Sequence, residues 1–312
     1  MFDNILVYID HNLAYSSLLA CVLNVAKTHR AKVTLMGTVP SLDNKVEYSL
    51  SEDIVKEIYD DQYTKVQVAL DNFTAQLELA HIESDTLISV GTPFIEICRQ
   101  VQQNDQNLVM LLADKHQSGL SKVFFGSTQM HLLRKCPTAV WIVKSNSMPV
   151  AQHILAPIDV GFVSPEESDI NTAIVETARV MAQKGNMTVE FMHVWTLFGE
   201  SYFSGRGGLS KLEIKKLRKK RKVELGKKLR KLVRKAEWVD LDVALSLPRN
   251  EAAASQIVKS VKKNNIDLLI MGTLCRTGIE GFFIGNTAEK ILNEVSCSVL
   301  ALKPQGFKSP VS

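Results

Sequence analysis

The sequence predicts an α/β protein built from two tandem doubly wound domains, with parallel strands alternating with helices. Three observations predict it. The 312-residue chain is long for one domain and comfortable for two. Four segments recur in the same order. Short β-branched runs without polar alternation are separated by helical patterns, as expected for strands buried on both faces of a parallel sheet.

The repeat is legible without gaps around its glycines. "GLSKVFFGST" (Gly119 to Thr128) sits over "GIEGFFIGNT" (Gly278 to Thr287), and "TAVWIVK" ending at Lys144 sits over "CSVLALK" ending at Lys303. Upstream, "NILVYID" (Asn4 to Asp10) matches "HILAPID" (His153 to Asp159), and "VTLMGTV" (Val33 to Val39) matches "VEFMHVW" (Val189 to Trp195). Chance produces one such match, hardly four. In the first half, strands are expected near Asn4–Ile9, Lys32–Thr38, Asp85–Val90, Leu108–Leu112 and Ala139–Val143. A helix is expected over Pro93–Gln103, with Pro93 in its first turn and Thr92 as the cap. The polar, proline-containing stretch "SNSMPVAQ" (Ser145 to Gln152) is read as the linker, giving domains over 1–147 and 150–304. "PQGFKSPVS" is read as a loose tail, 305–312.

Composition is that of an ordinary soluble protein, 46% hydrophobic and 22% charged, and no apolar run is long enough to span a bilayer. The opening "MFDNILVYID" lacks a basic region and a cleavage site and reads as a strand, not a signal peptide. Cys21, Cys98, Cys136, Cys275 and Cys297 are odd in number and scattered, which fits reduced thiols and a cytoplasmic location. His11, His29, His81, His116, His131, His153 and His193 show no metal-ligand spacing. His193 is expected to be a satisfied polar residue at a strand end. No nucleophile elbow, Cys-x-x-Cys pair or P-loop lysine is present, so enzymatic turnover has no residues to carry it.

A strand ending in "LIMG" leads through a glycine-containing loop to a helix opening at "GNTAEKIL". In doubly wound sheets such a carboxyl edge is where ligands bind. Gly272 would let the backbone approach a ligand. Gly285, Asn286 and Thr287, placed just before the helix, would aim amides at an anion. Asn286 and Thr287 capping that helix is the equally good structural alternative.

The spacing of these glycines resembles the universal stress protein signature, G-x2-G-x9-G-[S/T], and the repeat resembles a tandem member of that family over nearly the whole chain. The resemblance implies two five-stranded parallel sheets flanked by helices and packed as an internal pseudo-dimer, leaving open whether chains pair further. It implies a cytoplasmic stress-response role. It also implies, for ATP-binding members with magnesium, an adenosine near an Asp at the end of the first strand and phosphates on the glycine loops. Carried over to the second half, the matching positions are Pro157, Asp159, Val194, Met271, Gly272, Leu274, Gly285, Asn286, Thr287 and Ala288. Cys275 stands at the second motif glycine and Asn286 where the family has Ser or Thr. The first half departs further: in the ungapped comparison Ala113 and His116 occupy the two leading glycine positions, and Tyr8 stands for Pro157. It reads as a scaffold that has lost phosphate binding. The family admits at most slow ATP hydrolysis. A rival ligand, an amphipathic nucleotide-sugar or lipid-linked metabolite, is suggested by Cys275 with Phe282 and Phe283.

One segment stands outside the repeat. From Arg206 to Lys235 there are 15 Lys and Arg against two acids, a local balance of +13 in a chain of net +4, so the remainder carries −9. Ile214, Leu217, Leu225, Leu229 and Leu232 recur at helical intervals, predicting an amphipathic helix with a basic outer face. A solvated face is the usual fate of a charge run. Crowded like charges instead favour an anionic partner at Lys211 to Lys235: nucleic acid, acidic protein or lipid head groups. No RNA-recognition signature, helix-turn-helix pattern or interleaved stacking aromatic accompanies it. The preceding "YFSGRGG" (Tyr202 to Gly208) reads as a loop beside the site, with Arg206 available to phosphates.

Overall fold

A computed structural model describes residues 1–42, 51–113, 125–145, 151–161, 165–185, 187–204, 208–234, 236, 238, 241–250, 252–273 and 284–311. In the first half β1 (Asn4–Tyr8), β2 (Lys32–Val39), β3 (Ser84–Val90), β4 (Leu108–Leu112) and β5 (Ala139–Val143) alternate with α1 (Ser16–His29), α2 (Glu52–Leu79), α3 (Pro93–Asn104) and α4 (Ser127–Lys135). The second half repeats the plan. Its strands are β6 (His153–Pro157), β7 (Thr188–Met192), β8 (Val243–Ser246), β9 (Leu268–Gly272) and β10 (Ser298–Leu302). Its helices are α5 (Pro165–Gly185), the short α6 (Glu200–Ser204), α7 (Lys211–Val233), α8 (Ala253–Lys263) and α9 (Asn286–Glu294).

Within each half all strand pairs are parallel, and each half contributes five strands. The two halves join edge to edge. β5 and β10 pair antiparallel, with Trp141 opposite Leu300, so one ten-stranded sheet runs β3-β2-β1-β4-β5-β10-β9-β6-β7-β8. Two exposed edges that would otherwise template aggregation are thereby consumed. Lys144 Nζ donates to the Val295 carbonyl just beyond α9 at 3.1 Å. Its repeat counterpart Lys303 donates to the Leu133 carbonyl in the last turn of α4. Each cation thus sits at the electronegative end of the other half's helix.

Strand residues alternate between two cores, one on each face. Ile5, Val7, Ile154 and Ala156 pack with α1, α2, α5 and α7. Leu6, Tyr8 and Leu155 pack with α3, α4, α8 and α9. Both faces are apolar because helices cover both, which is why the strands read as unbroken apolar runs.

Some local expectations are corrected. Thr92 does occupy the cap position of α3, but its side chain makes no capping bond. The chain after β10 is not loose where described: Val311 packs against the second core, and its N–H donates to the Ser309 hydroxyl at 3.1 Å. Cys21, Cys98, Cys136 and Cys297 are buried free thiols. Burial pushes Cys21 and Cys297 up to about 12. Cys275 lies outside the described residues.

Candidate functional site

In the second half strand order reverses between β6 and β9. The cleft at their carboxyl ends has a volume of about 290 Å³. That is the low end of ligand-pocket size. Of the sequence-predicted residues, the fold brings Pro157, Asp159, Val194, Met271, Gly272, Gly285, Thr287 and Ala288 to its walls. Asn286 does not line it, and Leu274, Cys275, Phe282 and Phe283 lie outside the described residues, as does Arg206. Residue patterns missed Ile170, Asn171 and Ile174 from α5, and Ala253 and Ile257 from α8. Nothing in the repeat marks them, because those helices match too weakly between halves.

Asp159 follows β6, with its side chain 69% exposed. Its Oδ1 accepts the Gly161 N–H at 2.8 Å, and its carbonyl accepts from Asn171 Nδ2 at 2.7 Å, which ties the loop to α5. His193 is buried behind it. Its Nδ1 lies 3.1 Å from the Ile158 carbonyl and 3.6 Å from Asp159 Oδ1. Burial lowers the His193 pKa, the Asp159 charge partly opposes this, and Arg221 and Lys228 of α7 add to the lowering. The imidazole is therefore neutral at pH 7, a satisfied polar residue as the sequence suggested.

The glycines divide between two roles. A Cβ on Gly272 would lie 2.6 Å from Ile170 Cγ1, so helix packing against the strand end, not ligand approach, requires glycine there. Gly285 is the N-cap of α9, and Asn286 and Thr287 are its first helical residues, not capping residues; no side-chain cap bond is made. The first-turn amides of α9 have no intrahelical acceptor and carry the positive end of the helix dipole. Glu289 in that turn would oppose an anion, but it is ion-paired at 2.6 Å with Arg134 from the first half.

The equivalent cleft in the first half is about 60 Å³. The register explains the loss. Leu112 pairs with Val143 as Gly272 pairs with Leu302, so Leu112, not Ala113, holds the Gly272 position. The first loop is one residue longer than its counterpart, which the ungapped comparison could not show. Tyr8 stands for Pro157, with its hydroxyl 2.9 Å from that of Thr38. Gln129 stands for Ala288, and its Nε2 donates to the Leu112 carbonyl at 2.9 Å. Tyr8, Leu112 and Gln129 thus line the smaller cleft where Pro157, Gly272 and Ala288 line the larger one.

Among the described residues no group of three or more His, Cys, Asp and Glu could hold a metal, and no helix is long and apolar enough to cross a membrane. The chain is 26% identical to universal stress protein E of Salmonella typhi over 232 residues, covering 70% of this chain and 68% of that one. It is 23% identical to a universal stress protein E homolog of Haemophilus influenzae, covering 97% of this chain and 98% of that one. The fold matches a putative universal stress protein from Pseudomonas aeruginosa with a TM-score of 0.68 at 19% identity, over 97% of this chain and 94% of that one. The family model described as "Universal stress protein family" matches residues 1–144 and again 151–303. Two copies of that match, on two copies of the same five-stranded unit, carry the conclusion that the chain belongs to the universal stress protein family.

Proposed function

We propose that this stress-family chain binds one adenine nucleotide, ATP with magnesium being the first candidate, in the second-half cleft. It acts in the cytoplasm as a sensor or protective binder without rapid turnover. The observation that carries this is the asymmetry between the two clefts. The same fold keeps about 290 Å³ open in one half and about 60 Å³ in the other, with Tyr8, Leu112 and Gln129 at the small cleft in the places of Pro157, Gly272 and Ala288.

In this reading Pro157, Val194 and Met271 provide an apolar wall for the base. Asp159 accepts from a ribose hydroxyl, since a carboxylate has acceptor capacity beyond the single Gly161 amide. The first-turn amides of α9 face the phosphates, with Arg134 neutralising Glu289. Any hydrolysis of the bound nucleotide is slow in this reading, as in the family it resembles.

The test transfers a residue of the first half's cleft. Native mass spectrometry and calorimetry of the full chain with ATP and magnesium are expected to show one nucleotide per chain. Ala288→Gln, which places at α9 the residue that lines the first cleft, is expected to lower affinity by at least about tenfold, roughly 1.4 kcal/mol. Its circular dichroism should stay unchanged. Undiminished binding by A288Q, or no uptake by the parent chain, would sink the proposal.

A further inference from the structure

Crossover helices α2 and α7 occupy the same place in the two halves, each joining the second strand of its half to the third. Their packing duties are alike. Val66, Leu70, Phe73 and Leu77 of α2 are buried, as are Ile214, Leu225, Leu229 and Val233 of α7. Their charges are opposite. α2 carries two lysines against seven acids, a balance of −5; α7 carries twelve Lys and Arg against two acids, a balance of +10. The fold therefore does not require the basic sequence, and something else must account for it.

The cations are sorted by position. Arg218 and Arg221 are half-buried and paired, with Glu200 and Glu224 respectively, and Lys228 also pairs with Glu224. The outward positions are lysines, apart from Arg230. Lys216, Lys220, Lys227 and Lys231 share one exposed stripe, and Lys215, Lys219 and Lys222 flank it. None of these seven is ion-paired among the described residues. At i,i+4 spacing they repel one another in the free protein. A capping box at Ser210 and Glu213 holds the N-terminus of the helix in spite of this.

We propose that the outer face of α7 docks on the phosphate backbone of nucleic acid, without regard to sequence. Its 23 residues span about 35 Å, and four residues rise about 6 Å, close to two steps of about 3.4 Å along one strand. Lysine is a point charge on a flexible stem, suited to phosphates and without the planar fork that reads bases. Bilayer insertion needs an apolar face, and the apolar face of α7 is already spent on the core. The exposed Leu212 and Val223 lie on the lysine side but eleven residues, about three turns, apart, and Leu217 lies off that side, so they form no continuous apolar face. The acidic α2 of a second copy offers only half the charge that α7 presents.

The experiment is fluorescence anisotropy of the full chain with a labelled random-sequence duplex, from roughly 50 to 200 mM KCl. The expected result is a linear fall of log Kobs with log salt, with a slope near −0.9 per phosphate neutralised. Lys216→Gln, Lys220→Gln, Lys227→Gln and Lys231→Gln combined should flatten that slope by about 3 to 4 and weaken binding about tenfold or more at low salt. Circular dichroism should be unchanged, because all four side chains are exposed. Lys259→Gln, Lys262→Gln and Lys263→Gln on α8, also exposed, should leave affinity within about twofold. Absence of duplex binding at low salt overturns the proposal, as does equal binding by the α7 variant. So does uptake by phosphatidylserine vesicles without duplex binding, or a salt-sensitive self-association in sedimentation that accounts for the anisotropy change.

Discussion

At Gly272 one missing side chain separates two explanations of the same residue. A glycine at the mouth of a ligand cleft invites a binding role, yet the atom it spares is Ile170 Cγ1 at 2.6 Å. Gly272→Ala is therefore expected to destabilise the chain by about 1–3 kcal/mol through overpacking. In an Ile170→Ala background the same change should cost much less, since the clashing atom is gone, and a denaturant-melt double-mutant cycle reads that coupling. Additive effects would mean that the strand end does not press on α5. Ala288 is buried in the second core and also lines the cleft, and its counterpart Gln129 shows the larger residue that the first half carries there.

Helix α7 is an element whose sequence works against its own folding. Its like charges repel, yet it is held at one end by a reciprocal cap: Ser210 N donates to Glu213 Oε2 at 2.8 Å, and Glu213 N donates to Ser210 Oγ at 3.3 Å. Ser210→Ala should cost about 1 kcal/mol in chemical denaturation, within a range of roughly 0.5–2. That cost should persist in high salt, because the cap is a local hydrogen bond and not a long-range charge effect. A loss that vanishes with salt would show the opposite. The predicted apolar stripe of this helix is right in kind and wrong in detail. Leu217 is 38% exposed, Leu232 is partly buried against the core, and Val233, outside the predicted stripe, is buried. Periodicity marks a face about 100° wide but not which edge of it the neighbouring α5 and Trp238 will cover.

Across the whole molecule, the junction of the two halves carries a buried cation. Lys144 is 6% exposed, and burial lowers its pKa to about 8. The unfolded chain keeps this proton to about 10.4. Between those values the unfolded state binds more protons, so this group makes stability rise with pH from about 8 to about 10.4. Below about pH 8 both states are charged and the contribution is flat, with the folded state bearing the desolvation cost. Lys144→Met should remove the rise, seen as a flatter dependence of melting temperature on pH over that window. An unchanged profile would place the proton elsewhere. The facing groups include Cys297, whose thiol stays protonated to about 12, and the Val295 carbonyl that accepts from Nζ. The cation also stacks 5.3 Å over the Phe125 ring.

The sequence by itself determined the five strands of the first half, the repeat that carries the plan into the second, and about half of the cleft wall. Buried parallel strands are short apolar runs, and a repeated unit must place repeated residues at repeated positions. Ala139–Val143 and Leu108–Leu112 came out to the residue for this reason. Tertiary structure alone decided three things. It showed the one-residue difference between the glycine loops, because strand register counts residues along the neighbour strand and an ungapped comparison does not. It showed that Tyr8, Leu112 and Gln129 line the first cleft, since lining it requires side chains from three separated segments to meet. And it joined two five-stranded sheets through β5 and β10, a pairing between edges more than 150 residues apart that no local pattern encodes.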